Sequence, residues 1–306
     1  MEMLRNIAES RMTQMTALGL GILMMSGCAD GDRDPVEHTP TPIPTVSQEV
    51  APNPGDSGQG YDVSWPQCDD VKRGSLPESH DSFVIAGVNG RLPTEFNPCL
   101  GDLVKWAKAS RGVKNKHGMP GVSFYVTAAN PINEIVPTWP KSGNTPKGKC
   151  TPKNQRSEAC AYQYGMNRAT GDIKAMTPYL GDILKKERKV WIDVEPEYSW
   201  DEEVDGRRHN RSMLRGMIET FRAEGVDVGI YSRAEVWERL MDRPSSRGYD
   251  LPNDMDAWMM GARDWSQAKE NCNMVNFTTG KKRGVRVAQI PGDYTMSHLD
   301  ENVSCP

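Results

Sequence analysis

Val190-Trp-Ile-Asp-Val-Glu-Pro196 is the stretch whose reading decides the fold. A short apolar run closed by a proline reads as a strand. Strand periodicity puts Asp193 and Glu195 on one face, roughly 6 to 7 Å apart along the backbone. An ionised group loses its hydration on burial, so two acids in an apolar strand need a polar cleft or an ion pair. Like charges held close raise one proton affinity, which favours a protonated Glu195 beside an ionised Asp193.

Similar apolar runs lie on either side. Tyr61–Trp65, Phe83–Val88, Val122–Thr127, Val228–Tyr231, Ala257–Gly261 and Val285–Ile290 also read as strands, giving seven, with an eighth expected near the C-terminus. Helical patterns fall between them at Pro98–Ser110, Ala161–Lys186, Arg208–Glu224 and Ala234–Met241. In the third, Met213, Leu214, Met217, Ile218 and Phe221 share one helix face. Alternating strands and helices imply an α/β fold with a parallel sheet. Gly60 to Pro306 is about 250 residues, the usual size of an eight-stranded barrel, and no Gly-x-Gly-x-x-Gly follows an early strand. The expectation is a modified TIM-type (β/α) barrel over 60–306. The proline-rich stretch 130–158 is too long for a simple connection and is expected to form part of a rim over the active face.

Chemistry in such a barrel belongs at the carboxyl ends of the strands. Asp62 in the first strand and Asp300 near the C-terminus join Asp193 and Glu195 as candidates. Trp65, Trp139, Tyr198 and Trp200 follow or interrupt strand ends, where flat faces stack on sugar rings or pack a rim. Trp106, Trp191, Trp237 and Trp258 sit within elements, as core residues do. The basic run Arg207-Arg-His-Asn-Arg211 reads as a solvated helix start.

The 306 residues carry 37 Lys and Arg against 41 Asp and Glu, a net charge of -4. Residues 29–59 hold six acids against Arg33, so the body that follows is near neutral and offers no case for nucleic-acid binding. The longest apolar run, Ala17–Met25, is far short of the roughly 20 residues a bilayer span requires. It stops at Ser26-Gly27-Cys28, which resembles a bacterial lipobox and makes Cys28 the expected lipid anchor. Residues 1–27 are then a lipoprotein-type signal peptide, and 28–59 a disordered Pro/Thr/Asp-rich linker. Six cysteines remain, and an oxidising compartment would pair them in one of fifteen ways. The sequential pairing is expected: Cys68 with Cys99, Cys150 with Cys160, Cys272 with Cys305. No Cys-x-x-Cys occurs and the five His lack ligand spacing, so no metal is expected.

Tyr61-Asp-Val-Ser-Trp-Pro-Gln-Cys68, Trp191-Ile-Asp-Val-Glu-Pro196, Gly229-Ile-Tyr-Ser232, Ala257-Trp-Met259 and Gln289 through Leu299-Asp300 together resemble glycoside hydrolase family 25. These are peptidoglycan-cleaving lysozymes on a modified barrel, and the likeness is strongest to domains of secreted or lipid-anchored Gram-positive proteins. The resemblance implies cleavage of the β-1,4 bond after N-acetylmuramic acid. It makes Glu195 the general acid and Asp193 the group that orients or assists the substrate's acetamido group, with Asp62 and Asp300 completing an acidic floor. It also places Tyr125, Tyr231, Trp258 and Gln289 along the glycan. No cofactor is required, and a monomer at the outer face of the membrane or secreted is expected. Ala86-Gly-Val-Asn-Gly90 and Phe124-Tyr-Val-Thr-Ala-Ala-Asn130 depart from the acid and the aromatic-His pair common in that family. An inactive glycan-binding or scaffolding barrel is therefore the alternative, with a metal-dependent phosphodiesterase a third.

Overall fold

The computed structural model describes residues 58–306 except 80–81, 91, 114–117, 182, 204, 283 and 293–298. The signal, the lipobox at Cys28 and the linker to residue 57 lie outside the described residues.

Eight strands close into a barrel: β1 (Gln59–Val63), β2 (Phe83–Gly87), β3 (Val122–Thr127), β6 (Lys189–Asp193), β7 (Asp227–Ser232), β8 (Asp256–Met259), β9 (Val285–Ile290) and β10 (Asp300–Ser304). The order round the ring is β1-β10-β9-β8-β7-β6-β3-β2. All neighbours are parallel except β10, which is antiparallel to both β9 and β1. This is the eighth strand expected near the C-terminus. Because it runs backwards, its first residue, Asp300, sits at the mouth where the other strands end.

Helices α1 (Cys68–Arg73), α2 (Leu100–Ala107), α3 (Glu158–Leu180), α4 (Gly206–Ala223), α5 (Ala234–Met241) and α6 (Trp265–Asn271) fill six of the connections. The α3 and α4 helices make the closest contact between helices. A side chain at Gly165 would strike the Met213 carbonyl, and one at Gly216 the Tyr162 carbonyl, so each glycine admits the other helix's backbone. Met213, Leu214, Met217, Ile218 and Phe221 are all buried, as their spacing predicted. The α4 start is solvated at Arg207 and Arg208, as expected, but the run turns inward at its end. Arg211 is buried and pairs with Asp242 and Asp250, while Arg207 also reaches Asp242.

Several boundaries differ. The first strand ends at Val63, and Trp65 opens a 3-10 turn; the sixth ends at Asp193, leaving Glu195 just beyond it. Stretch 130–158 contains a hairpin, β4 (Gly143–Thr145) with β5 (Gly148–Cys150), held to α3 by a disulfide between Cys150 and Cys160. Disulfides also join Cys68 to Cys99 and Cys272 to Cys305, the sequential pairing. Among the described residues, no helix is long and apolar enough to cross a membrane.

The alternation of strand residues decides what faces inward. Phe83, Ile85, Trp191, Trp258 and Val287 form a compact cluster inside the ring, apart from the larger core beneath the helices. Side chains on Gly60 and Gly229 would collide with the Phe83 and Trp191 rings, so these glycines make room for the large side chains. Two residues further along the same strands come Asp62 and Tyr231, and two beyond Trp191 comes Asp193. The acids therefore point inward, one layer above the aromatic filling.

The opposite mouth is lined by paired charges. Lys189 Nζ lies 2.6 Å from Asp227 and 2.7 Å from Asp256, and Arg286 also binds Asp256. Burial pushes the Asp256 carboxyl up, but the neighbouring cations outweigh it and hold it below its ordinary value.

Candidate active site

At the carboxyl mouth, Asp62, Asp193, Glu195 and Asp300 line a single cavity of about 180 Å³, with Tyr125, Tyr231, Trp258 and Gln289 among its walls. Among the described residues, no Lys or Arg lines it. Trp258 forms the floor: it is buried, edge-on to Trp191 and packed 4.5 Å from Tyr231 between ring centres. It thus serves as core, as its position within a strand implied, and as cavity wall.

A chain of hydrogen bonds orders the acids on one side. Tyr231 donates its hydroxyl hydrogen to Gln289 Oε1 (2.8 Å), and Gln289 Nε2 donates to Asp62 Oδ2 (3.0 Å) and Asp300 Oδ2 (3.4 Å). Asn302 Nδ2 donates to the same Asp62 oxygen at 2.7 Å and accepts from Trp258 Nε1 at 2.8 Å. The Gly292 backbone N–H donates to Asp300 Oδ1 at 2.6 Å. Asn302 was missed in the sequence reading, although strand periodicity from Asp300 points to it.

The other pair is held from β3 and β7. Thr127 Oγ1 donates to Asp193 Oδ2 at 3.5 Å, while Asp193 Oδ1 is buried without a partner among the described residues. The backbone at Val194 is clamped by Ser232 Oγ, donating to its carbonyl, and by the Tyr231 carbonyl, accepting from its N–H. Behind Thr127 stands Asn89, in the loop after β2. Its Oδ1 accepts from the Thr127 N–H (2.6 Å) and its Nδ2 donates to buried Asp172 on α3 (3.2 Å).

Burial raises the proton affinity of all four acids, and like charge adds to it at Asp62, Asp193 and Glu195. Asp62 is raised well above the carboxylate range by burial and then by Asp300. Asp193 is raised well above it by burial, Glu195 and Glu197. Burial and then Glu197 bring Glu195 to about 7, against a lowering by Arg233, and Asp300 is raised by burial. A largely buried carboxyl at the cavity wall, raised to about 7, is suited to give up a proton to a leaving group.

Two expected sugar platforms are core residues instead. Trp139 is 3% exposed, stacks on Tyr164 and donates its N–H to the Gln155 carbonyl. Trp200 is 8% exposed and donates its N–H to the Glu195 carbonyl at 2.7 Å, so it fixes the backbone of that acid rather than offering a face to a ring. An indole on a loop finds apolar cover and a partner for its N–H as readily as it finds a ligand. Trp65 is 45% exposed just past the end of β1, and Tyr198 is half-buried beside Thr127. Among the described residues no cluster of His, Cys and carboxylates has the geometry of a metal site.

A family model described as lysozyme-like protein 1 matches residues 160–279, which include Asp193 and Glu195 but neither Asp62 nor Asp300. No curated protein matches the sequence. Among solved structures, the chain is similar to the muramidase from Acremonium alcalophilum (13% identity, TM-score 0.47), over 80% of this chain and 92% of that one. It is similar to the bacterial lysozyme from Streptomyces coelicolor (13% identity, TM-score 0.43), over 82% and 93%. The modular Cpl-1 endolysin, complexed with a peptidoglycan analogue, matches at 14% identity and TM-score 0.41, over 81% of this chain. The chain spans about half, 54%, of that endolysin.

Proposed function

We propose that the barrel hydrolyses β-1,4 glycosidic bonds in peptidoglycan or a related cell-wall glycan, with Glu195 as general acid. The observation that carries this reading is the meeting of four carboxyl groups in one cavity, with the Glu195 carboxyl raised to about 7. Glu195 protonates the oxygen of the departing sugar as the bond breaks. Asp193, one layer deeper and with a free oxygen, orients the acetamido group of the sugar that becomes positively charged, or stabilises the ring formed when that group attacks. Asp62 and Asp300, tied together through Gln289, form an acidic wall against which the sugar rests. Trp65, Tyr125 and Tyr198 supply aromatic contacts along the glycan. The likeness of residues 160–279 to lysozyme-like proteins supports this reading.

Purified cell walls incubated with the protein test the proposal. It requires soluble muropeptides whose new reducing end is N-acetylmuramic acid; reducing ends of another sugar would reassign the bond. The tightness of the cavity favours one second reading, a glycan-binding barrel without turnover. That reading requires sedimentation with insoluble wall and no soluble product. Three disulfides fit an exported protein, and we place it at the outer face of the membrane through Cys28, with the linker giving reach to the wall.

A further inference from the structure

A groove of about 500 Å³ lies beside the acid cavity, larger than the cavity itself. Its walls come from the loop after β2 (Leu92, Pro93), the start of stretch 130–158 (Pro131, Val136, Pro137) and Tyr164 of α3. The groove is built rather than incidental. The Asn130 N–H donates to the Ser199 carbonyl at 2.7 Å and Ser199 Oγ to Glu134 at 2.8 Å, which ties one wall to the segment that follows Glu195. Tyr164 is buried with Trp139 stacked behind it. Tyr198 also lines the groove, and its hydroxyl, hydrogen-bonded to Thr127, lies within electrostatic reach of Asp193 and Glu195. The groove therefore lies close to the acids, although among the described residues none lines both.

The lining selects an occupant. A sugar ring needs several hydrogen-bond partners in fixed positions; Thr94, Thr138 and Ser199 also line this groove, but its accessible surface is mostly apolar. Short aliphatic side chains fit it well. Among the described residues, the charged side chains lining the groove are Glu134 and Glu197, and Leu92 is 46% exposed, an apolar surface ready to be covered. A ligand with small methyl side chains and an ammonium group matches both features.

We infer that this groove binds the stem peptide carried by the wall glycan, with its alanine methyls against the proline walls and its side-chain amine toward Glu134 and Glu197. The inference rests on the hydrolase reading for its setting, since such a stem hangs from the sugar next to the bond cleaved. It extends that reading from the glycan to the substituted strand.

The test compares wall glycan with its stems intact and the same glycan stripped by an amidase, together with the free peptide L-Ala-D-isoglutamine-L-Lys-D-Ala. Leu92→Arg fills the exposed wall and repels an amine, and Glu134→Gln removes one charge while keeping an acceptor for Ser199. For intact strands, KM is expected to rise about tenfold in Leu92→Arg and about threefold in Glu134→Gln, with kcat unchanged. On stripped strands both variants should match the parent. The free peptide should bind the parent saturably, and Leu92→Arg at least tenfold more weakly. Equal KM for the two substrates in the parent, or equal losses on both in the variants, overturns the inference. So does a parent that does not bind the free peptide. Peptide binding without cleavage of either glycan would sink the hydrolase reading and leave the groove assigned.

Discussion

Asp62 and Asp300 are register partners across the antiparallel pair β1–β10, and Gln289 Nε2 donates to both, at 3.0 and 3.4 Å. Two acids far apart in the sequence thus share one donor, which is itself oriented by Tyr231. Replacing Gln289 by Leu strands the Tyr231 hydroxyl and takes one of two donors from Asp62. The expected cost is roughly 2 to 4 kcal/mol of stability, from losing buried hydrogen bonds, together with a fall in kcat. Chemical denaturation and muropeptide release measure the two effects. A variant as stable and active as the parent would show that the bridge has no such role.

Glu195→Gln keeps the shape of the side chain and removes its proton. General acid catalysis contributes about 10² to 10⁴ in rate, so wall hydrolysis should fall by at least about a hundredfold with the melting temperature little changed. Equal rates in variant and parent would remove Glu195 from the acid's role.

The pH profile follows from the same group. The carboxyl of Glu195 is raised to about 7 by burial and by Glu197, so the protonated acid persists up to that pH and kcat/KM should decline above it. Glu197→Gln removes a charge that raises this proton affinity, and the alkaline limb should move to lower pH. A limb that stays in place, or moves upward, would contradict the electrostatic account.

Asp172 carries a second pH dependence, in stability. It is buried, and burial brings its carboxyl to about 7 despite Arg168 and Asn89. The ordinary value in an unfolded chain is about 4. The folded state therefore holds the proton more tightly, and the associated stability, complete below about pH 4, is lost as pH rises to about 7. Asp172→Asn keeps an acceptor for Asn89 without ionising. It should equal the parent near pH 4 and exceed it by roughly 2 to 4 kcal/mol at pH 8. Denaturant unfolding at both pH values checks this; a constant difference would refute the linkage.

The disulfides should differ in worth. Cys272–Cys305 closes a separation of 33 residues and ties α6 to the end of β10, whereas Cys150–Cys160 closes 10. Chain-entropy arguments give about 4 and about 3 kcal/mol respectively. Paired Cys→Ala variants should rank in that order by chemical denaturation, and the reverse order would show that native-state packing dominates.

The strand-helix alternation, the length of the body and strand periodicity were enough to read a barrel, because burying one face of every element leaves a pattern that local spacing records. Asp193 and Glu195 were legible for the same reason: two acids in an apolar run are conspicuous. What spacing does not carry is which distant strands become neighbours. Only the backward course of β10 brings Asp300 to the mouth beside Asp62, and only the packed ring places Asn302 against both Asp62 and Trp258. Trp139 and Trp200 were misplaced because a loop tryptophan is apolar whether it faces a sugar or the core, and the choice depends on a cover supplied by Tyr164 or by the β6 loop. The pairing of Asn89 with Asp172 lies 83 residues apart in sequence. Long-range contact of this kind is decided by the closing of the chain, and no local pattern encodes it.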